Sequence, residues 1–169
     1  MDAAYITPFI RSIQNVFSTM LQLQVKVEQP HLKTNNNQAS FDVSGIIGLS
    51  GDVVGSIVLS FPTDAAQRIV ALFTGTNMSI SDADFPDAVG ELVNMISGNA
   101  KAEFKGKQVS ISCPSVVIGK DHQIGRPREI PCIVIPCSTD CGNVVIEISI
   151  QESPAGRATS SSQEAAAAV

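Results

Sequence analysis

The sequence predicts an α+β domain in the order helix, three strands, two helices, three strands, with one long helix left exposed. Three observations carry that expectation. The apolar period changes from three-and-four to two at Leu21, so a helix passes directly into a strand. Gly51-Asp52 divides two long apolar runs, as a hairpin turn does. Residues 84–105 carry an apolar stripe on one side of a helical wheel and a polar face on the other.

In residues 3–20, Ile6, Phe9, Ile10, Ile13, Val16, Phe17 and Met20 recur at three- and four-residue steps and form one helical stripe. Leu21, Leu23, Val25 and Val27 then alternate with Gln22, Gln24, Lys26 and Glu28, which predicts a strand directly after the helix. Residues 31–38 are polar, contain three consecutive asparagines and read as a surface loop. Residues 40–50 and 53–61 form the hairpin, with Gly51 at the first central position of a type II′ turn, and Pro62 ends it. Thr63 and Asp64 supply helix-start chemistry for Ala66, Ile69, Val70 and Phe73, and Thr74-Gly75 supplies the stop.

Ser81, Asp84 and Asp87, at three-residue steps, offer overlapping caps for the long helix. Pro86 is best tolerated in a first turn and so favours Asp84. Three strand-like runs follow: 108–118, interrupted by Pro114; 129–137, interrupted by Pro131 and Pro136; and 143–151, where Ile146, Ile148 and Ile150 alternate with polar residues. The prolines assign these runs to edges or bulges. From Ser153 the composition turns to Pro, Gly, Ser and alanines, so residues 1–152 are expected to fold and 153–169 to form a disordered tail. The order of elements suggests two loosely equivalent halves, although no repeat is visible residue by residue.

Composition excludes several classes. A chain of 169 residues, 44% hydrophobic, supports one core. No apolar run reaches the 18 or more residues that span a bilayer, and Met1-Asp2-Ala3-Ala4 lacks a signal peptide's basic start, so a soluble cytoplasmic protein is expected. A net charge of -5, no Trp and one Tyr argue against nucleic acid. Cys113, Cys132, Cys137 and Cys141 match no zinc spacing and are expected as buried or incidental thiols. His31 and His122 have no nearby Cys, Ser or second His in the sequence and read as surface histidines. Gly45, Gly48, Gly51 and Gly55 lie within the hairpin rather than between a strand and a helix, so no phosphate loop is indicated.

On the long helix, at about 100° per residue, Phe85, Val89, Leu92, Val93, Ile96, Ala100 and Phe104 form the core face. Asp87, Glu91, Asn94, Gly98, Lys101 and Lys105 cluster opposite, free to meet a partner. Glu91 and Asn94, three residues apart, reach one place together. Asn99 falls near the core boundary and reads as structural. Gly90 and Gly98 each cost about 1 kcal/mol relative to Ala inside a helix, and neither falls on the core stripe. Either they clear space for a partner's backbone, or Gly98 marks a kink and Gly90 packs beneath a neighbouring loop.

The segment Asp87-Ala-Val-Gly-Glu91-Leu-Val-Asn94-Met-Ile-Ser-Gly98-Asn-Ala resembles the signature helix of the CheC/CheX/FliY phosphatases of bacterial chemotaxis, an acidic residue followed by E-x-x-N. Cys113-Pro114-Ser-Val-Val-Ile-Gly119 is similar to the downstream P-x-V-V-x-G strand of the CheX branch, and the element order agrees with that branch. The resemblance implies hydrolysis of the aspartyl phosphate on a CheY-like receiver domain, in chemotaxis or related two-component signalling. It implies Glu91 and Asn94 as the catalytic pair, Glu91 pairing with a receiver lysine and the Asn94 carboxamide orienting the attacking water. Asp87, Gly90, Gly98 and Lys101 beside them become the partner-binding face. Mg2+ would be supplied by the receiver, with no cofactor held by this chain. The family also implies a homodimer. The N-terminal helix, Arg11-Ser-Ile-Gln-Asn15, offers no second E-x-x-N, which leaves one site per chain. A second reading keeps the docking helix without the chemistry, as a non-catalytic adaptor for a receiver or motor component.

Overall fold

The structure is a computed structural model that describes residues 3–34, 40–125 and 129–154. Among these residues three helices, α1 (Ala3–Met20), α2 (Thr63–Thr74) and α3 (Phe85–Ala102), pack on an antiparallel sheet of eight strands. The strands are β1 (Lys26–Val27), β2 (His31–Leu32), β3 (Phe41–Gly51), β4 (Val53–Phe61), β5 (Val109–Ile111), β6 (Ser115–His122), β7 (Ile133–Thr139) and β8 (Gly142–Glu152).

Two long hairpins, β3–β4 and β7–β8, meet along β4 and β8, where Val53 pairs with Glu152 and Ser60 with Val145. The short strands cross over. β1 and β2 pair with β7, and β5 and β6 pair with β3. Leaving α2 aside, each half of the chain is therefore a helix, two strands and a hairpin, and each lends its two strands to the hairpin of the other half. That arrangement gives physical content to the two halves expected from the element order.

Several expected boundaries move. The alternating stretch after α1 is not all strand: Leu21 and Leu23 N–H both donate to Phe17 O (3.1 and 3.0 Å), and Gln22 takes a left-handed φ of 52°. This is a helix stop with a six-residue return bond, and only Lys26–Val27 pairs. Leu21, Leu23 and Val25 are buried all the same, which is why they mimic a strand's period. The expected loop from His31 contains β2, and residues 35–39 lie outside the described residues. The run 108–118 divides into β5 and β6, both along β3.

At the β3–β4 reversal, Gly51 stays in register with Val109 at φ 108°, and the Asp52 N–H donates to Gln108 O. The arrival of β5 shapes that turn, not a free two-residue hairpin loop. At the other end of the chain, Ser153 is buried and its N–H donates to Asp52 O, so the fold includes Ser153. The rest of the expected tail, from residue 155, lies outside the described residues.

α2 does not start on its own capping residues. Pro62 occupies the cap position without a side-chain bond; instead Asp42 on β3 accepts from both the Thr63 N–H and the Thr63 hydroxyl through Oδ2, each at 2.9 Å. The Asp121 N–H donates to Oδ1 at 3.2 Å. The Thr63 N–H first, then the Asp121 N–H and the Thr63 hydroxyl, hold the Asp42 carboxyl below its ordinary value of 3.8. A carboxyl depressed in the folded state stabilises the fold above the unfolded value, and that contribution is lost as pH falls through the folded value. Asp42→Ala is therefore expected to cost about 1 kcal/mol at pH 7, the usual worth of a helix cap. In urea unfolding, the gap between wild type and variant should close as pH drops below about 4.

The helices cover one face of the sheet. α3 contacts β3, β4, β5 and β6, α2 contacts β3 and β8, and α1 packs on α3. Under them lie alternate residues of the central strands: Val43, Ile47, Ile57, Leu59, Phe61, Ile146 and Ile148, all 0–1% exposed. Each side chain of this size contributes about 1.5–3 kcal/mol on burial. α1 is tied to α3 by Ser12 Oγ donating to Ile96 O (2.7 Å), and Tyr5 and Phe9 set edge-on to Phe104 hold it to the segment just past the end of α3. The opposite face of the sheet is more polar. Ser44, Ser60, Glu147 and Ser149 are buried there, so each needs a partner or lies in a cross-strand row.

Candidate functional site

α3 begins at Phe85 with Asp84 in the cap position, but the Asp84 side chain makes no cap bond. The overlapping caps expected from Ser81, Asp84 and Asp87 are thus replaced by backbone turns, including Phe85 N–H to Asp82 O at 3.1 Å. Pro86 sits in the first turn and Asp87 beside it, where a carboxylate complements the positive helix end; Lys101 lies in the last turn, where a cation does the same. The helix buries Phe85, Val89, Leu92, Val93, Ile96 and Ala100, as the wheel required.

Glu91 and Asp87 are exposed, and Asn94, Gly98 and Lys101 are half-buried on the rim of the same helix. Among the described residues the side chains of Glu91 and Asn94 have no hydrogen-bond or ion-pair partner. Two polar groups, one an anion and one an amide with donor and acceptor together, are thus left unengaged on one side of a rigid element. Asn99, expected near the core boundary, is exposed.

Gly90 corrects one of the two glycine readings. It is buried, not on the free face, and a Cβ built there would meet Pro114 Cγ at 3.1 Å. Its missing side chain makes room for the start of β6. Gly98 has space around it, since a Cβ there would meet only Ile111 Cδ1 at 3.9 Å. The contact of Pro114 with Gly90 also creates a second wall for the site. Pro86, Asp87, Gly90 and Glu91 face Pro114 and Val116 across an open groove of about 430 Å³. In the sequence Pro114 and Val116 belong to a motif without an evident role, because nothing local shows which element β6 lies beside.

Two larger depressions occur elsewhere, about 600 Å³ between α2 and Cys141, and about 450 Å³ between α1 and the end of α3. Volume does not select the site here. A small ligand needs enclosure, whereas a protein partner docks on an open face.

The remaining chemistry-bearing residues lie apart from this face. Cys132 and Cys137 are buried, Cys141 is half-buried and Cys113 is exposed, all as free thiols. Burial, with a smaller contribution from Glu28, pushes the Cys137 thiol up to about 12, so it stays protonated. His122 is not the isolated surface residue expected. Its Nε2 lies 2.7 Å from Ser44 Oγ, its Nδ1 2.7 Å from Gly119 O, and Ser44 Oγ lies 2.8 Å from Ser60 Oγ. The Gly119 carbonyl makes Nδ1 a donor, and Nε2 is held against the Ser44 hydroxyl. Ser44 is 0% exposed and no substrate can reach it, which makes this a structural chain that satisfies a buried serine pair. No group of three or more His, Cys, Asp or Glu able to hold a metal occurs among the described residues, and no helix there is long and apolar enough to cross a membrane.

Known proteins resemble this chain over most of its length. The family described as chemotaxis phosphatase CheX matches residues 43–138. A CheY-P phosphatase CheX from Thermotoga maritima is 31% identical over 127 residues, covering 73% of this chain and 81% of that protein. Among solved structures, a CheC-like superfamily protein from Shewanella sp. PV-4 superposes with a TM-score of 0.82 at 36% identity, covering 89% of this chain and 99% of that one. A complex of CheX with CheY, BeF3 and Mg2+ from Borrelia burgdorferi matches with a TM-score of 0.73 at 25% identity, covering 88% of this chain and 98% of that one.

Proposed function

This chain belongs to the CheX family of chemotaxis phosphatases, and on that premise we propose that it hydrolyses the aspartyl phosphate of a CheY-like receiver domain. The observation that carries the reading is the unengaged pair Glu91 and Asn94, side by side on the rim of α3 next to an open groove. The relative from Thermotoga maritima is a CheY-P phosphatase, and the solved Borrelia burgdorferi assembly joins a CheX to a CheY with BeF3 and Mg2+. Both support a receiver as partner here, with Mg2+ carried by the receiver.

The chemistry asks little of the phosphatase. An acyl phosphate is a mixed anhydride and already activated, and the reacting oxygens must lie in line, so positioning supplies most of the gain. Asn94 offers the water an amide oxygen and an amide N–H at once, without any shift in protonation. Glu91 holds the receiver through a cationic side chain, and Asp87, Gly98 and Lys101 extend the contact along the same helix. Gly90 acts from beneath, through packing. α1 carries no such pair, since it reads Arg11-Ser-Ile-Gln-Asn15 and offers no E-x-x-N, so each chain has one site.

The chain up to Ser153 forms the working unit, which acts in the cytoplasm beside its receiver. Two copies join as a homodimer through β6, whose outer edge has no strand partner among the described residues. Multi-angle light scattering should give about twice 17.8 kDa; a mass of one chain at micromolar concentration removes the dimer.

The test of function is the decay of a receiver from the same organism, phosphorylated with acetyl phosphate and Mg2+, with and without this protein. Accelerated decay supports the phosphatase. Tight binding that depends on Glu91 but leaves decay unchanged identifies an adaptor instead.

A further inference from the structure

α3 meets the sheet at two points where side chains are missing. On β3, a Cβ at Gly45 would come within 2.9 Å of Val93 Cγ1, so the helix rests directly on strand backbone. On α3, a Cβ at Gly90 would lie 3.1 Å from Pro114 Cγ and 3.4 Å from Pro114 Cβ. Gly90 immediately precedes Glu91 and lies one turn before Asn94, so any push at Gly90 is delivered to both.

Pro114 is poorly able to yield. Just before it, Ser112 N–H donates to Gly48 O and Gly48 N–H donates to Ser112 Oγ, each at 2.9 Å. Ser112 Oγ also donates to Cys113 O at 2.7 Å. Just after it, Ser115 and Val116 stand opposite Ile46 and Gly45 in the β3–β6 register. The pyrrolidine ring itself cannot swing aside, because it is closed onto the backbone.

We propose that Pro114 is a positioning residue for the hydrolytic site: its ring, seated on Gly90, sets where Glu91 and Asn94 stand relative to the groove that receives the phosphorylated receiver. The proposal rests on reading Glu91 and Asn94 as the hydrolytic pair. Packing alone would give a different result. If the contact only stabilises the fold, activity and stability fall together; if it positions the pair, turnover falls in a protein of unchanged stability.

Gly90→Ala separates the two. The added methyl forces Pro114 or the helix to give by a few tenths of an ångström. Ala is also the better helix former, which offsets the crowding in the stability balance. Reaction geometry is less forgiving, since a displacement of about 1 Å costs about 100-fold in rate. We expect kcat to fall about tenfold, scaled down from that figure, with KM and the urea midpoint little changed. Pro114→Ala should also lower kcat at constant KM, by freeing the helix to settle. In the double variant the space vacated by the ring accommodates the new methyl, so kcat should recover to within about threefold of wild type, an interaction of contacting residues that a double-mutant cycle reads directly.

The experiment is steady-state dephosphorylation of the receiver by the full chain for wild type, Gly90→Ala, Pro114→Ala and the double variant, with Asn94→Ala alongside and urea unfolding of each. Wild-type kcat in both single variants overturns the positioning role, as does a fall in kcat that tracks lost stability and is not restored in the double variant. Should Gly90→Ala fail to fold, Pro114→Ala decides by the same kcat criterion. An inactive wild type, or full activity in Asn94→Ala, overturns the reading of the pair and the proposal with it. Active wild type, impaired Asn94→Ala and unimpaired Gly90 and Pro114 variants overturn the positioning role alone.

Discussion

Asn94→Ala is expected to lower the turnover of receiver dephosphorylation by about 100-fold, the cost of losing alignment of a reacting group. Binding of the receiver should stay within a few-fold, because Glu91 and the rest of the α3 face remain. The loss cannot be ascribed to unfolding. The Asn94 side chain is half-buried and makes no hydrogen bond among the described residues, so its truncation should change stability by no more than about 0.5 kcal/mol, as for other substitutions without a named structural contact. Asn94→Asp is nearly isosteric but replaces the amide donor with a charge that opposes the phosphoryl oxygens, and it should be as slow as the Ala variant. Glu91→Ala acts on the other step. It should weaken receiver binding and raise KM, with a smaller effect on kcat. Stopped-flow decay of the phosphorylated receiver under single-turnover conditions separates these effects, and full acceleration by Asn94→Ala would remove it from the water-positioning role.

The second large effect lies on the opposite face of the sheet. Lys33 Nζ donates to both Glu147 carboxylate oxygens at 2.6 Å, with both side chains only 9% exposed. Glu147 lies centrally on β8, between Val58 of β4 and Val134 of β7, and Lys33 follows β2 with its N–H donating to Cys132 O at 2.8 Å. The ion pair thus ties a two-residue edge strand to the middle of the sheet. Glu147→Ala would leave a cation with little access to water and without this carboxylate. Breaking a buried pair on one side costs about 3–5 kcal/mol, a large share of the 5–15 kcal/mol by which a domain of this size is stable. Lys33→Met with Glu147→Leu replaces both charges by apolar groups of similar reach and should return stability close to wild type. Urea unfolding of the two single variants and the double one checks this. Additive losses in the double variant would show that the pair's value lies in contacts other than its charges.

How much of this was legible beforehand depends on range along the chain. The three helices and the β3–β4 hairpin followed from period and from Gly, Pro and Asp signals, because those are properties of a few neighbouring residues. The strand after α1 misled because an extended segment that buries Leu21, Leu23 and Val25 has the same alternation whether or not it pairs. The cap of α2 was assigned to Thr63 and Asp64, whereas Asp42, 21 residues earlier, fills that role. His122 had no partner nearby in the sequence but bonds Ser44 across 78 residues.

By itself the sequence determined that Glu91 and Asn94 share one exposed side of a helix, since a period of 3.6 residues places positions three apart together whatever the rest of the protein does. The resemblance of that helix to the CheX family followed from the same local stretch. Tertiary structure alone decided what lies beside it. Whether Gly90 cleared space for a partner or for the protein's own chain turned on where Pro114 arrives, and that is set by the pairing of β6 with β3 some 70 residues apart. Strand pairing and close packing depend on which distant segments meet, and no local period records the meeting.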